Sequence, residues 1–213
     1  MIKHIIFDVD KTIYPESCGF GDEMDRRISQ YAAKHINLPF EVADELRKTS
    51  VKNYGTTLRW LQLEHGLTDT DHYLDFVHPI DVESYLPNKE EIHNILRDID
   101  IPMSILSNGP IENVDRILHF YNIKDLFNPI IDIKMNNLKG KPYIEVYEKI
   151  LKEINLPINQ ILFVDDVEDY LIPFHDMGGN VLLINETSKK TRMNFDQLKN
   201  ILELSDYLKK NNK

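Results

Sequence analysis

Ile5-Ile6-Phe7-Asp8-Val9-Asp10-Lys11-Thr12-Ile13-Tyr14-Pro15 is the stretch that decides how the rest of the chain is read. Residues 2–7 are apolar apart from Lys3 and His4 and rich in β-branched side chains, which predicts a short buried strand. A strand buried in a parallel sheet does not ordinarily run into two carboxylates. Asp8 and Asp10 lie two residues apart, so wherever the chain stays extended they project to one side, and Thr12 continues that side. Like charges converging there repel unless a cation or a shared proton separates them. Open α/β sheets place their ligands at this edge. The competing reading of a lone Asp-x-Asp is a capped turn, and the remaining sequence has to choose between the two.

Beyond Pro15, strand character is absent until about residue 102. Helical patterns fill the interval. They cover residues 22–36 (with Leu38-Pro39 following), 41–49, 54–65 (closing at Gly66) and 69–77. From Pro87 the pattern alternates. A helix over 88–99, with Asn88 as its cap, leads to a strand over 103–106 that runs into Ser107-Asn108-Gly109-Pro110. Then come a helix over 111–121, a strand over 130–133, a helix over 142–154 and a strand over 161–164 ended by Asp165-Asp166. A helix over 171–177, a strand over 181–184, a helix over 195–208 and a solvated tail at 209–213 complete the chain. This alternation predicts an α/β fold with a parallel, Rossmann-like sheet covered on both faces. Residues 1–15 and 87–213 form that core. Residues 16–86 are an all-helical insert of about 70 residues, large enough to be a subdomain.

The polar residues that follow the predicted strands converge, because all carboxyl ends of a parallel sheet lie on one edge. Strand one supplies Asp8, Asp10 and Thr12; the strand at 103 supplies Ser107 and Asn108; the strand at 161 supplies Asp165 and Asp166, with Asp169 further on. Lys139-Gly140-Lys141-Pro142 stands just before a helix, and Lys141 is preferred because Pro142 fixes it against the helix start. Clustered aspartates suit Mg²⁺. The Ser-Asn-Gly turn offers a hydroxyl and helix-start amides as an anion seat, and the lysine a compact positive charge. A metal, an anion seat and a nucleophilic carboxylate together describe phosphoryl transfer through an aspartyl-phosphate. Each piece also has a plain alternative: Asp165-Asp166 as a helix cap, Ser107-Asn108-Gly109 as an ordinary turn, Lys141 as a solvated lysine.

Composition bounds the partners. Among 213 residues, 25 basic and 35 acidic side chains give a net charge of −10, which argues against nucleic acid because backbone binding needs a basic face. The apolar fraction of 42% carries no run approaching the ~18 residues of a membrane span. One cysteine, Cys18, excludes an internal disulfide and suits a reducing cytosol; with no adjacent base it reads as a small loop residue. The first strand begins at once, without a signal peptide, so a cytoplasmic location is expected. The expected partner is a small-molecule phosphate monoester.

Asp8-Val-Asp-Lys-Thr12, Ser107-Asn108, Lys141-Pro142 and Asp165-Asp166 resemble the four ordered motifs of the haloacid dehalogenase-like hydrolase superfamily, over nearly the whole chain. The insert after the first motif resembles that superfamily's C1 cap. Thr12-Ile-Tyr-Pro15 with Gly19, Tyr54-Gly-Thr-Thr57, and Lys141-Pro-Tyr with Tyr147-Glu-Lys149 are similar to the pyrimidine 5′-nucleotidase branch. The resemblance implies Asp8 as nucleophile and Asp10 as acid, then base. It implies Mg²⁺ held by Asp8, the carbonyl of Asp10 and Asp166, with Asp165 nearby. It implies phosphoryl contacts from Thr12, Ser107, Asn108 and Lys141, and substrate contacts in the cap from Tyr54, Thr56 and Thr57, whose alternative is a helix N-cap. The activity implied is Mg²⁺-dependent hydrolysis of a nucleoside 5′-monophosphate. A sugar phosphatase or phosphomutase is the alternative on the same scaffold. A non-catalytic phosphometabolite-binding protein is the alternative of another class, and it has no need of two repelling carboxylates. One departure stands out: relatives carry an acid or Asn where this chain has Tyr170. Either Asp169 takes over that contact or the site manages with two acids.

Overall fold

The computed structural model describes residues 1–211. The sheet is built from β1 (His4–Phe7), β2 (Met103–Leu106), β3 (Phe127–Ile131), β4 (Ile161–Asp165), β5 (Asn180–Ile184) and β6 (Asp196–Leu198), and every pairing is parallel. The strand order is β3-β2-β1-β4-β5-β6, so β1 lies inside the sheet with Ile5 opposite Met103 on one side and Leu162 on the other. The fold is the α/β, Rossmann-like one that the alternation predicts.

Strand alternation divides the apolar side chains between two faces. Ile5, Phe7, Ile105 and Val164 pack with Ile92 and Leu96 of α5 (Lys89–Arg97) and with Val114 and Ile117 of α6 (Ile111–Phe120). Ile6, Leu106 and Phe163 face the other way, against Tyr147 and Ile150 of α7 (Ile144–Ile154) and Leu171 and Phe174 of α8 (Glu168–Asp176). Between β1 and α5 stand α1 (Phe20–Ile36), α2 (Phe40–Tyr54), α3 (Thr57–His65) and α4 (Thr70–Val77). They share a cluster of their own, centred on Tyr31, Leu58, Trp60, Leu61 and Leu74, which makes them the helical cap.

Several boundaries differ from the sequence reading. Helix α1 starts at Phe20, two residues before the predicted start, and ends at Ile36 as predicted, with Asn37 closing it in the left-handed region at φ 55°. Helix α2 runs on to Tyr54, and Gly55, at φ 76°, breaks the chain there, so α3 begins at Thr57 instead of residue 54. Asn88 stands at the cap position of α5, but its own φ of 56° turns the backbone left-handed and its side chain makes no capping bond. The helix predicted over 195–208 is a correction of type. Its first part is β6, a three-residue edge strand paired to β5, and a 3-10 turn at Ile201–Glu203 then leads into α9 (Leu204–Asn211). That helix also covers most of the predicted tail; residues 212 and 213 of the tail lie outside the described residues.

Candidate active site

Strand β1 stops at Phe7. The amide of Asp8 still donates to the Val164 carbonyl at 2.9 Å, and the chain then folds into a turn in which Thr12 and Ile13 both donate to the carbonyl of Val9. Thr12 therefore reaches Asp8 through a turn, not through strand alternation: its hydroxyl donates to Asp8 Oδ2 at 3.4 Å. Lys11, at φ 60°, is the left-handed residue that lets the turn close.

Lys141 lies at the centre of the acidic groups. It is wholly buried, and its ammonium donates to Asp8 Oδ1 at 2.7 Å and to Asp165 Oδ2 at 2.6 Å. The rings of Phe163 and Tyr170 sit 5.4 and 5.2 Å from it. Burial alone would push this lysine down, but the carboxylates of Asp165 and Asp8 hold it above its ordinary value. Lys139 lies outside this cluster, 3.2 Å from Glu145 and part-exposed.

Asn108 is the clamp on Lys141. Its Oδ1 accepts from the Lys141 amide at 2.7 Å and its Nδ2 donates to the Lys141 carbonyl at 3.1 Å. Both ends of the Asn108 amide are thus spent on the Lys141 backbone, a positioning role that the sequence does not announce. Gly140 makes room for it: a Cβ there would stand 2.5 Å from Asn108 Oδ1. Gly140→Ala is expected to dislodge the clamp and cost turnover at least about tenfold, equivalent to ~1.4 kcal/mol of positioning, with a smaller change in Tm. Steady-state kinetics beside thermal melts check this.

Asp10 is held separately. Tyr14 donates to its Oδ1 at 2.8 Å and Asn113 Nδ2 reaches the same oxygen at 3.4 Å. Burial, then the charge of Asp8, pushes Asp10 up to about 6, against the opposing pull of those donors and of Lys141. The sequence reading gave Tyr14 and Asn113 no role at this carboxyl; a hydroxyl four residues after an aspartate is the only local signal for the first.

Part of the expected anion seat is taken from within the protein. The start of α6 is already occupied from within, because buried Asp132 accepts from the amides of Ile111 and Met135 at 2.8 Å each. Ser107, buried, accepts from the amide of Gly109 at 2.9 Å through its Oγ, which leaves its hydroxyl proton to donate to an anion. A carboxylate that arrives after β3 takes what a helix start offers an anion.

The departure at Tyr170 has a definite outcome. Asp169 is exposed and paired with Arg192, so it does not stand in for the missing acid. Tyr170 instead spans the site, its ring over Lys141 and its hydroxyl 3.4 Å from the Gly55 carbonyl of the cap. Tyr143 makes the neighbouring contact, donating to the Tyr54 carbonyl at 3.3 Å. Of the predicted cap residues, Thr56 and Thr57 line the cavity over Asp8 and Asp10. Thr56 also caps α3, accepting from the Arg59 amide at 3.1 Å. Tyr54 is turned to Glu64, its hydroxyl at 2.7 Å.

The donor set fits a divalent cation. One carboxylate oxygen from each of Asp8, Asp165 and Asp166 lies within 4.8 Å of the other two. Burial, followed by the charges of Asp165 and Asp8, holds Asp166 well above the carboxylate range. Asp8 and Asp165 pair with the one buried ammonium, and with Asp166 and Asp10 close by the site holds more carboxyls than cations, which a bound cation offsets.

The profile of the haloacid dehalogenase-like hydrolases matches residues 2–172. The chain belongs to that family. A sesquiterpene phosphatase, AstK of Aspergillus oryzae, is 24% identical over 153 residues, spanning 62% of this chain and 76% of that protein. Among solved structures, CbbY from Rhodobacter sphaeroides in complex with phosphate superposes with a TM-score of 0.67 at 18% identity, covering 96% of each chain. YfnB from Bacillus subtilis, bound to magnesium, gives 0.65 at 14% identity over 97% of this chain and 98% of its own. At such identities the structures speak for the fold alone: this hydrolase shares the family's sheet and helical cap.

His78 lines the same cavity from the end of α4 and is neutral by construction. Its Nδ1–H donates to the Leu74 carbonyl at 2.7 Å, and burial pushes it down to about 4. The unfolded chain therefore binds a proton that the folded one refuses between pH ~6.5 and ~4, and stability falls as pH falls through that window. His78→Asn keeps a donor and removes the titration. Its stability is expected to decline by about 3 kcal/mol less than that of the parent over this range, read from urea melts at stepped pH.

Proposed function

We propose that this hydrolase cleaves phosphate monoesters through an aspartyl-phosphate on Asp8. One observation carries the reading: Asp8 sits against a buried lysine and two further aspartates, while Asp10 beside it is separately held and raised to about 6. In the first step a carboxylate oxygen of Asp8 attacks phosphorus and the bond to the ester oxygen breaks. Asp10 gives that oxygen its proton, and the alcohol leaves. In the second, Asp10 takes a proton from water as the water oxygen attacks phosphorus; the bond to Asp8 breaks, and inorganic phosphate leaves. Lys141 and Thr12 stand where the non-bridging oxygens gather charge. Tyr14 and Asn113 aim the Asp10 carboxyl, and Asn108 aims Lys141.

Asp8, Asp166 and the backbone carbonyl of Asp10, with Asp165 nearby, would hold Mg²⁺. When bound, that ion neutralises charge that gathers on the phosphoryl oxygens. The phosphatase name of the Aspergillus oryzae relative agrees with this reading. A nucleoside 5′-monophosphate is the substrate that the resemblance to the pyrimidine 5′-nucleotidase branch implied, with Tyr54, Thr56 and Thr57 as its cap contacts; of these, the threonines reach the cavity. We place the enzyme in the cytoplasm, acting on a small molecule.

The test is release of phosphate from p-nitrophenyl phosphate, with trapping of acid-stable phosphoenzyme. Excess EDTA is expected to stop release and added Mg²⁺ to restore it. Full activity in EDTA, with metal content shown to be nil, would remove the cation from the reading.

A further inference from the structure

The cavity that opens over Asp8 and Asp10 has a volume of about 290 Å³, and every cap helix contributes apolar surface to it. Met24 and Ile28 come from α1, Val51 from α2, Leu58 from α3 and Leu74 from α4, and Ile133 closes the wall from the core side. Met24, Leu58, Leu74 and Ile133 are buried, so what they present to a ligand is carbon already withdrawn from bulk water.

Thr57 and Tyr73 bring two hydroxyls to the wall, and several of its other polar side chains are engaged elsewhere. Asp25 is bound by Arg47 at 2.7 Å, the Thr56 hydroxyl caps α3 and His78 Nδ1 holds the Leu74 carbonyl. Lys11 is the cation lining this cavity among the described residues, and it stands 4.0 Å from Glu16 and beside Asp166. A leaving group with a further phosphate meets no free counter-charge on this wall. The hydroxyls of a sugar would face chiefly methyl and methylene groups, with Thr57 and Tyr73 as the polar exceptions, and would lose more hydrogen bonds to water than this wall replaces.

We propose that the substrate class is the phosphate monoester of an apolar alcohol, its hydrocarbon lodged between the cap helices and its phosphate on Asp8. This rests on the phosphatase reading above and names its leaving group. Each methylene that moves from water onto this wall is expected to raise kcat/KM about fourfold. The rise ends when the space is full, at roughly ten water-sized groups including the phosphate.

The experiment uses the full chain with Mg²⁺. It compares n-alkyl phosphates from methyl to octyl with uridine 5′-monophosphate and glucose 6-phosphate for turnover, and the matching alkylphosphonates for binding by calorimetry. Turnover and phosphonate affinity should climb together, leaving octyl phosphate at least about 10²-fold ahead of the nucleotide and the sugar phosphate. Val51→Asn and Ile28→Asn, at half-buried positions, should each flatten both slopes. Turnover that is level across the alkyl series, or highest on the nucleotide or sugar phosphate, overturns the apolar class and leaves the phosphatase reading standing. Phosphonate affinity that climbs while no phosphate is hydrolysed does the reverse. Level affinity with no turnover overturns both.

Discussion

Asp8→Asn is expected to lose turnover by at least about 10⁴-fold while the protein stays folded. An amide nitrogen cannot form the acyl-phosphate, and nothing else at this edge takes its place: Asp165 is locked on Lys141 and the Val167 amide, and Asp10 is committed to Tyr14. The fold should tolerate the change, because Lys141 keeps Asp165 at 2.6 Å and the crowded carboxyls lose one repelling neighbour. In metal-free buffer the Tm should therefore be equal to the parent's or higher. The measurement is single-turnover phosphate release together with thermal melts. Parent-like turnover in a homogeneous preparation would strip Asp8 of its role, and a collapsed Tm would show that its charge is needed to hold Lys141.

Asp10→Asn is the second large effect, and it depends on the substrate. Asparagine keeps the shape and the backbone carbonyl but supplies no proton, so hydrolysis of an alkyl ester should fall by about 10²–10⁴-fold. The first step on an aryl phosphate should fall much less, since that leaving group departs without protonation, and phosphoenzyme should accumulate because the second step still lacks its base. In the parent, the acid role needs Asp10 protonated, and its carboxyl is raised to about 6. The first step on alkyl esters should accordingly slow as pH rises above that value, and the variant should lose this limb. Equal first-step losses on both ester types would exclude Asp10 as the acid.

The parts of this site that sequence could disclose are those where a strand breaks off in polar residues. Met103–Leu106 is apolar apart from Ser104 and framed by Pro102 and Ser107, and Ile161–Val164 is an apolar run that ends in two carboxylates, so both strands and the residues after them were legible. β6 was not. Asp196–Leu198 is three residues long and mostly exposed, so it lacks the buried run that marks a central strand, and Phe195 with Leu198 and Leu202 mimics helical spacing. The occupancy of the helix start by Asp132 was equally hidden, because a carboxylate 21 residues downstream of Ile111 meets it only once β2 and β3 lie side by side. The same holds for Asn113 on Asp10, across 103 residues. Asp169 looked like a displaced ligand by position along the chain, and only the fold reveals that Arg192 has claimed it.

The strand order carries a consequence for how such a protein changes over generations. Asp8, Ser107 and Asp165 come from β1, β2 and β4, which are neighbours in the interior of the sheet, whereas the cavity wall comes chiefly from residues 24–74. On the proposed reading, a mutation at Val51 or Leu74 would alter which alcohol is welcomed without shifting a strand, and one in β1 would spoil the chemistry for every alcohol alike. Drift and selection can thus explore new substrates in one segment of the gene while the reacting groups stay inherited intact in another.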